Sequence, residues 1–277
     1  MKKNHRITPP AVLGNLVVCI YALLLVIPFA FVIITAFKTE QELTLNPIGL
    51  PQNPTFNNFF EAWEKGNLLN ALKNSLIISV SSTALVLINV VLVAYCVNRI
   101  RRFKISNVIY LFFLAAMFVP NVGNATLLTM RRQWGLYNNL LGEVLMGSLS
   151  ITTGVFLVSG FLRTIPTDLE EAARIDGAND FQVCTKVIVP VIKPVLVTVG
   201  ILHFTSTWNN AMGPMMTLRD PELYTIPMAL LLNFPTMTGV ENTKVFAGVI
   251  ITAIPVIIIF IKCQKYFITA MAGSVKG

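Results

Sequence analysis

Charge is what this chain has least of. Its 277 residues include 21 Lys or Arg and 13 Asp or Glu, so only 12% are charged, about half the share of an ordinary soluble domain. A water-soluble fold of this size covers its surface with charge, and these groups are too few and too unevenly placed to do so. Paired cysteines are missing too. Cys19, Cys96, Cys184 and Cys263 form no CxxC pair and keep no metal-ligand spacing with His5 or His203. That speaks against a disulfide framework and a metal centre, and the four read as small buried hydrophobes. No GxxxxGK[ST] segment occurs, so the chain has no P-loop with which to bind ATP itself. The net charge of +8 sits in short basic clusters between apolar runs and not along one face, which argues for membrane orientation and against nucleic acid.

What the chain does have is long apolar runs, with 55% of its residues hydrophobic. About 20 such residues carry a helix across roughly 30 Å of hydrocarbon. Six segments qualify: 11–37, closed by Lys38; 74–98, closed by Arg99; 105–130, closed by Arg131; 144–162, between Glu143 and Arg163; 187–208, with Lys193 as its single charge; and 245–261, between Lys244 and Lys262. They predict an all-α polytopic membrane protein with six transmembrane helices and no Asp or Glu inside any span. Segment 224–240 is broken by Pro227, Pro235 and Gly239, and its apolar core, 226–234, is too short to span; it reads as a re-entrant or interfacial piece. The first segment follows Lys2, Lys3 and Arg6, but its run is too long for a signal peptide and no small-residue cleavage site follows, which predicts an uncleaved anchor.

Six spans put both termini on one side. With the termini inside, 14 of the 21 Lys and Arg fall on inner segments, and this bias orients the termini to the cytoplasm. Outside, the connection 38–73 carries turn signals at Asn46-Pro47, Pro51 and Asn53-Pro54 and then an amphipathic stretch at 56–63, the pattern of an ordered external cap.

The inner connection 163–186 is the one dense cluster of mixed charge. Thr167 predicts an N-cap, and Glu170, three residues on, would close a capping box; Asp168 and Glu170 suit the positive end of the helix dipole. Gly177 supplies a left-handed stop. The resulting helix is too short and too polar to enter the bilayer, so it belongs at the cytoplasmic surface. Leu169, Ala172 and Ala173 fall on one face, where small alanines let another protein approach closely.

These residues resemble a known family. Glu171-Ala172-Ala173, Gly177, and Val187-Ile188-Val189-Pro190 match the register of the EAA loop of binding-protein-dependent ABC import permeases, E-A-A-x(3)-G-x(9)-I-x-L-P, with valines at 187 and 189 as conservative departures. The wording EAARIDGA, Pro190 to Pro194, Trp208-Asn209-Asn210 and the ending from Gln264 to Gly277 are similar to the carbohydrate branch, related to the maltose permease's second transmembrane subunit. The resemblance covers residue 70 onward well and the first span loosely. It implies the type-1 ABC importer permease fold: residues 1–69 as tail, first span and external loop; 70–263 as the transmembrane domain with its coupling loop at 165–190; and 264–277 as a cytoplasmic tail.

The family resemblance further implies a permease subunit, not an enzyme, forming half of a sugar pathway across the cytoplasmic membrane. Its partners would be a second, different permease, two ATPase subunits that carry the ATP and Mg, and an extracytoplasmic solute-binding protein. Glu171 would make a charged contact with the ATPase and Ala172 and Ala173 the close packing, with Gly177 turning the chain back to the membrane and Asp176 and Pro190 completing the loop. Catalytic and metal residues are not expected. Trp208, Asn209 and Asn210 are candidates for the substrate pathway, since an aromatic face with amide donors suits a sugar ring. Asn89, Asn121, Asn124 and His203 read as hydrogen-bonded packing groups. An importer of a non-sugar solute, or an ion-coupled secondary transporter, is the alternative.

Overall fold

The structure, a computed structural model, is described here over residues 9–99, 106–118, 124–236 and 239–274. In chain order its helices are α1 (Pro9–Ala36), α2 (Glu40–Leu45), α3 (Asn57–Lys65), α4 (Leu68–Arg99), α5 (Ser106–Ala116), α6 (Asn124–Gln133), α7 (Leu140–Gly147), α8 (Thr152–Leu162), α9 (Asp168–Ile175), α10 (Asp180–Gln182), α11 (Val189–Trp208), α12 (Met212–Thr217), α13 (Ile226–Leu232) and α14 (Asn242–Ser274). Strand is confined, among the described residues, to a two-residue antiparallel pair, β1 (Pro235–Thr236) and β2 (Gly239–Val240).

Among the described residues five helical stretches are long and apolar enough to cross a bilayer: Gly14–Ala36, Leu68–Arg99, Leu140–Leu162, Asp180–Trp208 and Asn242–Lys262. The expected third span, 105–130, is not one continuous helix. α5 ends at Ala116 in tight turns, with Met117 N–H donating to Leu114 O and Phe118 N–H to Ala115 O, and α6 begins at Asn124. The residues between, Asn121 included, lie outside those described. Glu143 also departs from expectation, since it falls inside the span Leu140–Leu162. The piece expected to be re-entrant or interfacial contains α13, a helix of seven residues.

By contacts the chain divides into two compact units. The first joins Met1–Leu68 to Leu230–Ala253. Here α1 is apolar on all sides and exposes Leu16, Leu23, Phe29 and Ile33, the surface expected of a helix whose solvent is lipid. Its end is held by Asn58 Nδ2, which donates to Ala36 O at 2.8 Å and Lys38 O at 2.7 Å. Lys38 is fully buried, and its ammonium donates to Asn46 O at 2.7 Å and Pro47 O at 3.1 Å. The Asn46-Pro47 turn thus satisfies a buried cation. Glu40 Oε1 accepts from Thr243 N and Oγ1, both at 2.8 Å, near the start of α14. Glu241 pairs with Lys65 and Lys244, and Lys244 also with Glu61. The two hydrogen bonds, from Lys244 first and Lys65 second, hold the Glu241 carboxyl below the usual carboxylate range.

The second unit joins Leu69–Ala229 to Ile254–Gly277. Its core is a β-branched and leucine cluster from α4 (Val86, Val90), α8 (Val155, Val158, Leu162) and α11 (Ile192, Val195, Val199). Gly154 allows the close approach, because a Cβ there would lie 2.6 Å from Val90 Cγ2 and 3.0 Å from Val199 Cγ1. Polar groups cross-link the same helices. His203 Nδ1 lies 3.0 Å from Thr83 Oγ1 and Nε2 lies 3.1 Å from Gly147 O, which assigns the ring proton to Nε2. Asn89 Nδ2 donates to Ser148 O at 3.3 Å. Both residues make the packing bonds that their place in apolar runs predicts.

Candidate functional site

The loop helix forms where the sequence places it, but its start is built differently. Thr167 has helical backbone angles and makes no side-chain cap bond. The expected capping box is absent because the Glu170 carboxylate is taken by a stronger partner. Glu170 is 1% exposed, with Oε1 2.8 Å from Arg99 Nε at the end of α4. Arg99 Nη2 also donates, at 2.7 Å in each case, to Leu162 O and Ile165 O, carbonyls at and just beyond the end of α8, where the helical ladder stops. One turn further along α9, Arg174 Nη2 lies 3.8 Å from Glu170 Oε2 and 3.0 Å from Asp180 Oδ1, and the Asp180 bond raises the Arg174 pKa. One buried pair therefore fixes α9 to the ends of α4 and α8. A capping box does form one helix later, where Asn179 and Gln182 bond reciprocally.

This clamp sorts the faces of α9. Leu169, Glu171, Ala172, Ile175 and Asp176 are exposed, Leu169 and Ile175 being 49% and 86% accessible. Ala173 is instead half-buried and packs on the core cluster, so it does not share the outward face with Leu169 and Ala172 as the spacing suggested. It lies three residues from buried Glu170 and turns the same way. Gly177 has φ +86°. Its N–H donates to Arg174 O at 3.0 Å, and Ala178 N–H to Ala173 O at 3.0 Å, which together make a complete Schellman stop. No atom lies within 4 Å of where a Gly177 Cβ would sit, so glycine is required by backbone conformation and not by crowding.

The chain then re-enters the long apolar helix through a π-helical stretch, Val183–Ile188. Val189 N–H bonds to Cys184 O, five residues back. Pro190 follows at the start of α11, and with no N–H of its own it leaves the carbonyl four residues earlier without an α-type donor. The widened turn accommodates that loss.

The candidate pathway residues are not brought together. Trp208 is 4% exposed and stacks on Phe204 with ring centroids 5.4 Å apart, so its face is already covered. Asn209 is exposed at the end of α11. Asn210, whose Oδ1 accepts from Gly213 N at 3.2 Å, lines a cavity of about 410 Å³ within the second unit. Sequence reasoning missed the groups that dominate this cavity. Arg131 on α6 and Glu143 on α7 form a buried ion pair, and the Thr217 hydroxyl donates to the same Glu143 oxygen. Each charge had been read as the boundary of a span; a basic and an acidic residue 12 positions apart on neighbouring apolar runs was the available signal.

The chain matches the family of binding-protein-dependent transport system inner membrane components over residues 90–269. It is 32% identical over 261 residues to a probable starch degradation products transport system permease protein of Thermoanaerobacterium thermosulfurigenes, covering 93% of this chain and 94% of that one. To the melibiose/raffinose/stachyose import permease protein of Bacillus subtilis (strain 168) it is 31% identical, covering 91% of each. Its fold is similar, with a TM-score of 0.80 and 25% identity over 96% of this chain and 99% of the other, to a chain in the crystal structure of a bacterial ABC transporter involved in the import of the acidic polysaccharide alginate. Sequence and fold agree over nearly the whole length, and the protein belongs to the binding-protein-dependent transport system inner membrane components, the permease subunits of ABC importers.

Proposed function

We propose that this permease forms half of the translocation pathway of an ATP-driven importer for a sugar or oligosaccharide in the cytoplasmic membrane, with both termini cytoplasmic. It would work with a second, different permease, two ATPase subunits holding ATP and Mg, and an extracytoplasmic binding protein. The observation that carries this reading is the build of α9. Its inner side is locked by Glu170, while its outer side presents Leu169, Glu171, Ala172 and Ile175 to solvent. Such a helix accepts a partner's surface and transmits its displacement to α4 and α8 as a rigid piece. In this reading Glu171 contacts the ATPase, Ala172 allows close packing, Ala173 seats the helix on the core, and Asp176, Gly177 and Pro190 set the route back to the membrane. The sugar class rests on the names of the relatives. On the pathway side Asn210 and Asn209 remain the candidates, next to Trp208, which is stacked on Phe204.

The test is affinity purification of the tagged chain from native membranes, with co-purifying chains identified by mass spectrometry. A Walker-motif ATPase, a second permease and a solute-binding protein are expected. Isolation alone or as a homo-oligomer would refute the assembly.

A further inference from the structure

We propose that Arg163, at the end of α8, holds the headgroup of one anionic phospholipid. Arg163 is exposed and directly follows Leu162, the last residue of the apolar stretch Leu140–Leu162, which is the depth at which a spanning helix meets lipid headgroups. An exposed arginine in that place would ordinarily sample many rotamers, but this one is fixed from two sides. Its guanidinium carbon lies 4.4 Å from the centre of the Tyr110 ring on α5, and its Nε donates to Asn98 Oδ1 on α4 at 3.3 Å. The Asn98 amide is itself oriented, since Nδ2 donates to Ala94 O at 2.7 Å and to the hydroxyl of buried Ser159 at 2.8 Å. Three helices thus converge on one guanidinium.

The chemistry left over selects the occupant. With Tyr110 on its face and Asn98 on Nε, the guanidinium keeps the N–H groups of both Nη atoms as donors, and among the described residues they meet no protein acceptor and no carboxylate. By contrast Arg99, Arg131 and Arg174 each pair with an acid. A positioned fork of parallel N–H groups matches two oxygens of a phosphodiester. The surroundings favour a lipid over a soluble phosphate. Phe156, Gly160 and Arg163 are exposed and follow one another along α8 at helical spacing, and no atom lies within 4 Å of where a Gly160 Cβ would sit, which leaves room for an acyl chain below the headgroup. α5 packs against α8 and exposes Val108, Leu111 and Phe112, an apolar stripe suited to lipid. Basic positions between spanning helices are where acidic headgroups bind.

The test uses the assembled importer, stripped of native lipid in detergent and placed in nanodiscs of equal parts phosphatidylcholine and phosphatidylglycerol, with native mass spectrometry counting the lipids retained as the complex is released. Wild type holds one phosphatidylglycerol more than Arg163→Gln, in which affinity at this site falls about tenfold, the loss expected when a charged hydrogen-bonding group is removed. Arg163→Lys keeps the charge without the fork, and Tyr110→Leu releases the guanidinium from its stack; each retains the lipid at an intermediate level. Phosphatidylcholine retention is the same in all four proteins, which separates loss of the site from loss of the fold. Inorganic phosphate added in excess leaves the lipid in place, because buried acyl chain supplies the rest of the binding. Equal phosphatidylglycerol retention by wild type and Arg163→Gln overturns the inference, and so does displacement of the lipid by phosphate, which would make the site one for a soluble anion. Either result leaves the importer reading standing, since the site does not depend on the solute.

Discussion

Removing Glu170 should harm the protein far more than removing its neighbour Glu171, although both stand in the same short helix. The Glu170 side chain is 2% exposed and faces an Arg99 side chain 11% exposed, so neither charge is screened by solvent. Breaking such a pair from one side strands the other charge and costs about 3–5 kcal/mol. Arg99 keeps two carbonyl bonds at 2.7 Å, which places the Glu170→Ala loss toward the lower end, about 3 kcal/mol. At roughly 3 °C per kcal/mol that lowers the melting temperature by about 10 °C. Exposed Glu171 should shift it by no more than about 1 °C when changed to Ala, within the range of surface substitutions. The assay is thermal unfolding of the purified chain in detergent, completed as a double-mutant cycle with Arg99→Met. A coupling energy above about 1 kcal/mol is expected for residues in direct contact. Equal melting temperatures for the two glutamate variants, or a cycle that closes at zero, would falsify the clamp.

Gly177→Val places a β-branched residue at φ +86°, a strain of at least 1–2 kcal/mol by the usual left-handed penalty that falls on the loop alone because the surrounding space is open. The variant should insert and fold yet transport poorly per ATP, with Gly177→Asn retaining most function; normal transport at normal ATP use by the valine variant would refute it. Gly154→Ala drives a methyl to 2.6 Å from Val90 and should destabilise by about 1–3 kcal/mol, with Val90→Ala restoring part of the loss in a thermal melt. Glu241 has a carboxyl held below its ordinary value, so its ionised form stabilises the fold above about pH 4 and that contribution disappears as pH falls through the folded value. Glu241→Gln should therefore melt earlier than wild type at pH 7, and the gap should close on acidification; a gap that widens would reverse the assignment.

The spans were legible because hydrocarbon imposes a length and an apolarity that no other solvent demands, and five segments from 11–37 to 245–261 coincide with long helices. The third, 105–130, is represented by two shorter helices, α5 and α6, with the residues between them outside those described. In the loop, the glycine stop could be read from Gly177, because a Schellman motif is local. The Thr167–Glu170 box could not be excluded locally: its competitor, Arg99, is 71 positions away in the chain and wins through burial. The same holds for the cavity. Arg131 and Glu143 looked like span boundaries because a lone charge ends a hydropathy run, whereas a neutralised pair can lie inside. The stacking of Trp208 on Phe204, one turn earlier on α11, was not legible for a related reason, since both read equally as apolar members of a span.

The π-helical stretch Val183–Ile188 also acts as a phase shifter. It accommodates one more residue than an α-helical turn would, and each residue advances an α-helix by about 100°. Every side chain of α11 is thus rotated relative to α10, and Ile192, Val195 and Val199 meet the core only with that offset in place. Deleting a single residue between 183 and 188 would leave composition, hydropathy and span length almost unchanged, yet would swing the whole core-facing stripe toward lipid. Tolerance to insertion and deletion here is therefore governed by angle and not by length.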